Sequence, residues 1–189
     1  SCDKPSKHTT TMGHSMPSLF FWARSLAAVI ALQLAGATAF ADATTTAMSP
    51  THLAVYKSPT CGCCVKWMEH MQSRGYSVAV YHPADLTRFK LEQDIGLRYQ
   101  SCHTAISAGG YRFEGHVPAK FVSQFLANPP KGAIGLAVPG MPVGSPGMEM
   151  GTKFMPYQVL LLKADGSHEA FADILTATDQ GASAGLGAR

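Results

Sequence analysis

Cys61-Gly62-Cys63-Cys64 places three cysteines within four residues, and the segments on either side restrict what can be built around them. Upstream, His52 to Lys57 (HLAVYK) alternates and is rich in strand formers, and Ser58-Pro59-Thr60 breaks it. Downstream, Cys64, Trp67, Met68 and Met71 recur at three- and four-residue spacing from Cys61 to Arg74, with Lys66, Glu69, Gln72 and Arg74 on the other side. That pattern predicts an amphipathic helix stopped by Gly75. The cysteines therefore belong where a strand and turn hand over to a helix. They are too close together to act as three independent structural staples, so chemistry is the better use for them.

The rest of the chain continues the alternation. Ser77 to Tyr81 (SVAVY) reads as a second strand, and Asp85 to Ile95 as a second helix with Asp85 as N-cap and Gly96 as terminator. Thr104 to Ala108 and Tyr111 to Glu114 flank Gly109-Gly110 as a hairpin, and Pro118 to Leu126 reads as a helix with proline in its first turn. Strand, helix, strand, helix, hairpin, helix is the thioredoxin-like order, an α/β class with a central mixed sheet flanked by helices. Gly132 to Gly151 is rich in glycine, proline and methionine without a period, which predicts a long loop outside the sheet. Pro156 to Lys163, a turn at Ala164-Asp165-Gly166 and Ser167 to Ala172 predict a late β-hairpin.

With 189 residues the chain has room for one ordinary domain plus tails. Its expected divisions are a signal peptide and upstream segment at 1–41, a linker at 42–51, a thioredoxin-like metal-binding domain at 52–175 and a disordered tail at 176–189. Ser25 to Ala35 is an uncharged run of 11 residues between Arg24 and Ala39-Phe40-Ala41, the layout of a secretory signal peptide cleaved before Asp42. The run falls short of the roughly 20 apolar residues that span a bilayer, so no stable membrane span is expected after cleavage. Met16 begins a more ordinary signal peptide than residue 1 does, and Cys2 then drops out of the mature protein. Without residues 1–41, which carry Lys4, Lys7 and Arg24 against Asp3, 12 basic and 11 acidic side chains are left. A nearly neutral chain without a basic stripe argues against nucleic acid as a partner.

Export to a periplasm-type, oxidising compartment means that thiols pair unless a metal or a redox partner occupies them. At a helix N-terminus the thiol pKa values should be low. Cys61 and Cys64, three apart, can close a disulfide or pinch one metal ion, and Cys63 adds the third sulfur that favours soft Cu(I). Zinc stays open, because Cys102 could complete a tetrahedral set. A lone cysteine is usually a buried small hydrophobe, but Cys102 adjoins His103 and precedes the third strand, so a ligand role is preferred. His103 and His116, at the edges of the predicted hairpin, can ligate a metal, tune a thiolate or be structural; His52, His70, His82 and His168 read as surface or structural. Met141, Met148 and Met150 supply thioethers suited to Cu(I), whereas Met155 reads as a gap-filler and Met68 and Met71 as core. Nucleophile-elbow and phosphate-loop motifs are missing.

The runs YKSPTCGCC, SCHTA, GYRFEGHVPA and GLAVPGMPVGSPGMEM resemble the CopG-like family of exported bacterial CxCC copper-resistance proteins, over roughly residues 52–172. The Gly109-Gly110 turn and the long C-terminal tail are the visible departures, and neither touches the cysteines. The resemblance implies a thioredoxin-like fold and copper bound through Cys61, Cys63, Cys64 and Cys102, with histidine or methionine completing the shell and a thiolate-bridged cluster of several ions as one form. It also implies Cu(I)/Cu(II) interconversion in copper resistance, with copper ions and a periplasmic resistance partner or electron donor as partners. Two rivals stand beside it: a thiol-disulfide oxidoreductase using Cys61 and Cys64, and a non-catalytic copper buffer or chaperone.

Overall fold

The structure is a computed structural model and describes residues 51–181. The expected signal peptide, all of the expected linker but Thr51, and residues 182–189 lie outside the described residues. The elements are β1 (His52–Lys57), α1 (Gly62–Gln72), β2 (Ser77–Tyr81), α2 (Leu86–Glu92), β3 (His103–Ser107), β4 (Arg112–Gly115), α3 (Ala119–Ala127), β5 (Ala133–Val138), β6 (Tyr157–Lys163) and β7 (His168–Ile174). Short 3-10 turns occupy Leu97–Tyr99 and Ala177–Gln180. The strands form one seven-stranded mixed sheet in the order β2-β1-β3-β4-β5-β6-β7, so the expected α/β class is the one found. Among the described residues no helix is long and apolar enough to cross a membrane.

The two faces of the sheet do different things. Leu53 and Val55 of β1, Phe113 of β4, Leu136 and Val138 of β5 and Val159 of β6 pack with Trp67 and Met71 of α1 and with Phe121, Val122 and Phe125 of α3. Because side chains alternate along a strand, the neighbours of those residues face the other way. There Ala137 and Leu162 join Ile95 and Tyr99 in a smaller cluster, and Glu114 meets Lys90 of α2. Met68 and Met71 are core, as expected.

Register brings four chain segments to one rim. Lys57 at the end of β1 pairs with His103 at the start of the antiparallel β3, and Thr104 pairs with Glu114 of β4. β5 runs parallel to β4 and sets Val138 beside Gly115. The turn into α1, the segment before β3, the exit from β4 and the loop after β5 thus all open at the same end of the sheet.

Four expectations need correction. Ala133–Val138 is a strand inside the sheet, not loop: AIGLAV is an apolar run with Leu136 and Val138 in the main core and Ala137 in the smaller cluster, so it lacks the alternation that marks a one-faced strand. The second helix stops at Glu92, before Gly96, because Asp94 takes the left-handed conformation at φ 61° and turns Ile95 into the second cluster. The start of the expected tail is ordered. Thr176 and Asp179 cap each other reciprocally, Tyr157 Oη donates to Gln180 Oε1 at 2.6 Å, and Gln180 Nε2 donates to the Gly144 carbonyl at 2.9 Å. Met155 is exposed, so it fills no gap; only its backbone N–H is held, by the Val143 carbonyl.

Two predictions follow from the packing. A Cβ at Gly135 would lie 1.7 Å from the Arg112 carbonyl oxygen of the paired strand. Gly135→Ala should therefore lower stability by about 3 kcal/mol or more, read as a shift of the urea midpoint. His70 Nε2 accepts the Ala119 N–H at the start of α3, and burial, with help from Arg74, lowers its pKa from 6.5 to about 4. The unfolded chain binds the proton more readily, so the contribution is complete above about pH 6.5 and is lost as pH falls through about 4. His70→Ala should flatten the rise of stability with pH across that window.

Candidate metal centre

Cys61 occupies the N-cap of α1, and its N–H donates to the Ser58 carbonyl at 3.2 Å. The buried Lys57 ammonium ties the same turn by donating to the Ser58 carbonyl at 2.7 Å and the Pro59 carbonyl at 3.3 Å. Nothing in the alternating strand pattern marks Lys57 for that duty. Cys61 and Cys64 are joined by a disulfide across the first helical turn, with Cα atoms 5.4 Å apart. Cys63 and Cys102 are free thiols. Cys63 Sγ lies 3.5 Å from Cys61 Sγ and 3.9 Å from Cys102 Sγ, and all four sulfurs lie within 4.8 Å of one another.

Cys102 also belongs to a second group, with His103 and His116. Its sulfur is 3.3 Å from His103 Nδ1 and 3.1 Å from His116 Nε2. His116 Nδ1 donates to the Pro146 carbonyl at 2.7 Å, which fixes the tautomer and leaves the Nε2 lone pair aimed at Cys102. The His103 ring stacks at a tilt on Trp67, at 4.4 Å, and its buried Nε2 has no hydrogen-bond partner among the described residues. Burial holds both imidazoles below the ordinary histidine value. For His103 the charges of His116, Lys90 and Lys57 add to burial; for His116 the Pro146 bond and Glu149 oppose it. Both rings are neutral at neutral pH and keep a lone pair for a ligand.

The expected low-pKa thiolates are not what this state presents. Cys61 and Cys64 are tied to each other, and burial, with Cys63 next, pushes the Cys102 thiol up to about 12. Cys102 is therefore a thiol that can donate its hydrogen to His116, and a metal ion would have to displace that proton.

Beneath the site lies a buried network that the sequence patterns did not disclose. Lys90 of α2 pairs with Glu114 of β4, both almost fully buried. Glu114 Oε1 accepts the Ser101 N–H at 2.6 Å, Lys90 donates to the Ser101 carbonyl at 2.9 Å, and Thr104 Oγ1 donates to Glu114 Oε2 at 2.5 Å. Burial raises the Glu114 pKa, while Lys90 and these hydrogen bonds pull it back. Ser101 is thus gripped at both its N–H and its carbonyl, which sets the direction of Cys102. No sequence signal marks the pair, since Lys90 has Arg88 and Glu92 as neighbours and Glu114 has Arg112 and His116.

The loop after β5 closes the site. Gly147 sits at φ 87°, and a Cβ there would come 2.7 Å from the Cys63 carbonyl and 2.8 Å from the Trp67 nitrogen. Close contact with α1 puts the preceding Pro146 carbonyl on His116. A groove of about 390 Å³ runs between them, lined by Gly62, Cys63, Lys66, Gly147, Met148, Glu149 and Met150. Met148 and Met150 therefore share a groove with Cys63, whereas Met141 is exposed and does not line this groove.

Four sulfurs and two neutral imidazoles from three segments of a mixed α/β sheet define a protein with a soft-donor site able to hold a metal ion. Comparison with known proteins gives that class a family. Two solved structures, "Copper resistance protein copG- Form 1" and its Form 2, are each 36% identical to this chain, with TM-scores of 0.63 and 0.62. The matches cover 67% and 65% of this chain and 98% and 97% of those chains. The chain belongs to the CopG-like family of CxCC copper-resistance proteins. Residues 99–148 also match a family model described as "Protein of unknown function, DUF411". No curated protein matches the chain.

Removing one partner of a buried pair leaves an uncompensated charge, so Lys90→Met should cost about 3–5 kcal/mol in urea unfolding. Replacing both Lys90 and Glu114 by methionine should restore most of that loss while leaving Ser101 without its clamp.

Proposed function

We propose that this protein binds copper as Cu(I) through Cys61, Cys63, Cys64 and Cys102, with His103 and His116 alongside, and that it interconverts Cu(I) and Cu(II) in copper resistance. The observation that carries the reading is the meeting of four sulfurs from two distant segments within 4.8 Å, with two neutral imidazoles on one of them. Thiolates favour Cu(I) and imidazole accepts both oxidation states, so a donor set holding both suits an ion that changes charge. Reduction of the Cys61–Cys64 disulfide frees all four sulfurs, and copper then replaces the thiol protons, including the one Cys102 retains against deprotonation. Met148 and Met150, on the groove that reaches Cys63, offer thioethers along the approach; nothing comparable supports Met141.

The finer fold reading is thioredoxin-like. It is supported by the order β1-α1-β2-α2-β3-β4-α3, with the cysteine pair at the start of the first helix and the sheet order β2-β1-β3-β4. Export to the periplasm, with a copper-resistance partner or electron donor there, completes the proposal and rests on the signal-peptide pattern.

One observation favours a second reading, a thiol-disulfide oxidoreductase acting on proteins: Cys61 and Cys64 are closed as a disulfide at a helix N-terminus. Insulin reduction by metal-free, reduced protein separates the two, since only the oxidoreductase predicts sustained turnover. For the copper reading, anaerobically reduced protein titrated with Cu(I) against a chromophoric chelator should retain copper through gel filtration. Cys63→Ser combined with Cys102→Ser should lose at least half of it. Unchanged stoichiometry in that variant would remove the shared-pocket claim. Retention of zinc in preference to Cu(I) would reassign the metal.

A further inference from the structure

The four sulfurs are not equivalent. Cys61 and Cys64 form the disulfide, and closing it leaves the other donors assembled: Cys63 Sγ stays 3.5 Å from Cys61 Sγ and 3.9 Å from Cys102 Sγ, and Cys102 keeps His103 and His116 within 3.3 Å. The oxidised chain thus retains two thiols and two imidazoles at the same place. In this arrangement one pair of sulfurs can change oxidation state while the other pair goes on holding an ion. Bonding Cys63 to Cys102 instead would draw Cys102 away from His116, and bonding Cys63 to Cys64 would join adjacent residues inside a helix.

Accessibility divides the pair as well. Cys64 is fully buried, whereas Cys61 is only partly buried and precedes the exposed Gly62. An incoming thiolate can reach Cys61 Sγ and not Cys64 Sγ, and the groove beside Cys63 opens on the same turn.

We infer that the Cys61–Cys64 dithiol is a built-in two-electron reductant for Cu(II), spending its electrons on ions held by Cys63, Cys102, His103 and His116. The inference rests on the copper reading above and names the source of the electrons. Two Cu(II) ions each take one electron; the two thiols lose two electrons and two protons, and the Cys61–Cys64 S–S bond forms. The products are two Cu(I) ions, one disulfide and two protons released to solvent. The pair is restored by an external protein dithiol. Its first thiolate attacks Cys61 Sγ, and Cys64 departs and takes up a proton. The donor's second thiol then resolves the mixed disulfide, leaving Cys61 reduced and the donor oxidised.

The test uses the whole protein, reduced, freed of reductant under anaerobic conditions and mixed with two equivalents of copper(II) sulfate. A Cu(I)-specific chelator reports the product, and acid quench, alkylation and peptide mass mapping report the sulfurs. The expected result is two Cu(I) per chain, with Cys61 and Cys64 linked and Cys63 and Cys102 alkylated. Cys61→Ser and Cys64→Ser, shown to be folded by circular dichroism, should slow Cu(I) appearance at least tenfold. Mapping on the unaltered protein keeps the test valid should either variant not fold. A disulfide between Cys63 and Cys102, or Cu(I) formed without a disulfide or at an undiminished rate in the variants, would overturn the inference. If Cu(I) supplied directly is retained but none arises from Cu(II), the inference fails and the copper-binding reading survives. If Cu(I) supplied directly is not retained, it is the binding reading that fails.

Discussion

The grip of Lys90 and Glu114 on Ser101 is the interaction on which the site depends. Cys102 reaches the α1 cysteines from a segment that is neither helix nor strand, and such a segment needs something to hold its backbone. Glu114 takes the Ser101 N–H and Lys90 takes the Ser101 carbonyl, from opposite partners of one buried ion pair. A pair of charges in low dielectric is a costly choice for stability alone, because apolar replacements often do as well. It earns its place by direction: it fixes which way the next residue points, and Thr104 extends the same network into β3.

Neutral imidazoles follow from the same burial. His103 and His116 lie under the sheet rim and the loop after β5, where a positive ring would lose its water, and for His103 would also face Lys90 and Lys57. Desolvation keeps the rings uncharged, and the Pro146 carbonyl chooses the tautomer of His116. The chain thereby presents lone pairs and sulfurs together, with the Glu149 carboxylate in the adjoining groove, where it accepts the Gly147 N–H. Such a set discriminates against hard cations such as magnesium and calcium, which require oxygen ligands.

Much of this was legible in the residues. β1 follows from alternation, the late hairpin from its turn at Ala164-Asp165-Gly166, α1 from its apolar spacing, and Asp85 from its capping chemistry, which the Arg88 N–H bond at 2.9 Å bears out. Cys102 meeting the CGCC turn was legible as well, because the order of elements returns β3 beside β1. What escaped were features that local pattern does not encode. β5 is buried on both faces, so its apolar run has no period, and its glycine at 135 serves close strand approach and looked like loop composition. Lys90 and Glu114 are 24 residues apart and meet only through the sheet. The end of the second helix turned on Asp94 adopting a backbone shape usually left to glycine, and the capped turn at Thr176 was hidden in a stretch that looked featureless.

The loop after β5 has a consequence for when the ligand set comes into being. Cys63 and Cys102 are 39 residues apart, and the carbonyl that orients His116 comes from 30 residues further on. A chain still emerging from synthesis would carry the CGCC motif as an isolated set of thiols. Only after the strand at 133–138 has docked beside β4 can the Pro146 carbonyl orient His116. The full donor geometry is therefore a property of the finished tertiary structure and not of the CGCC motif alone.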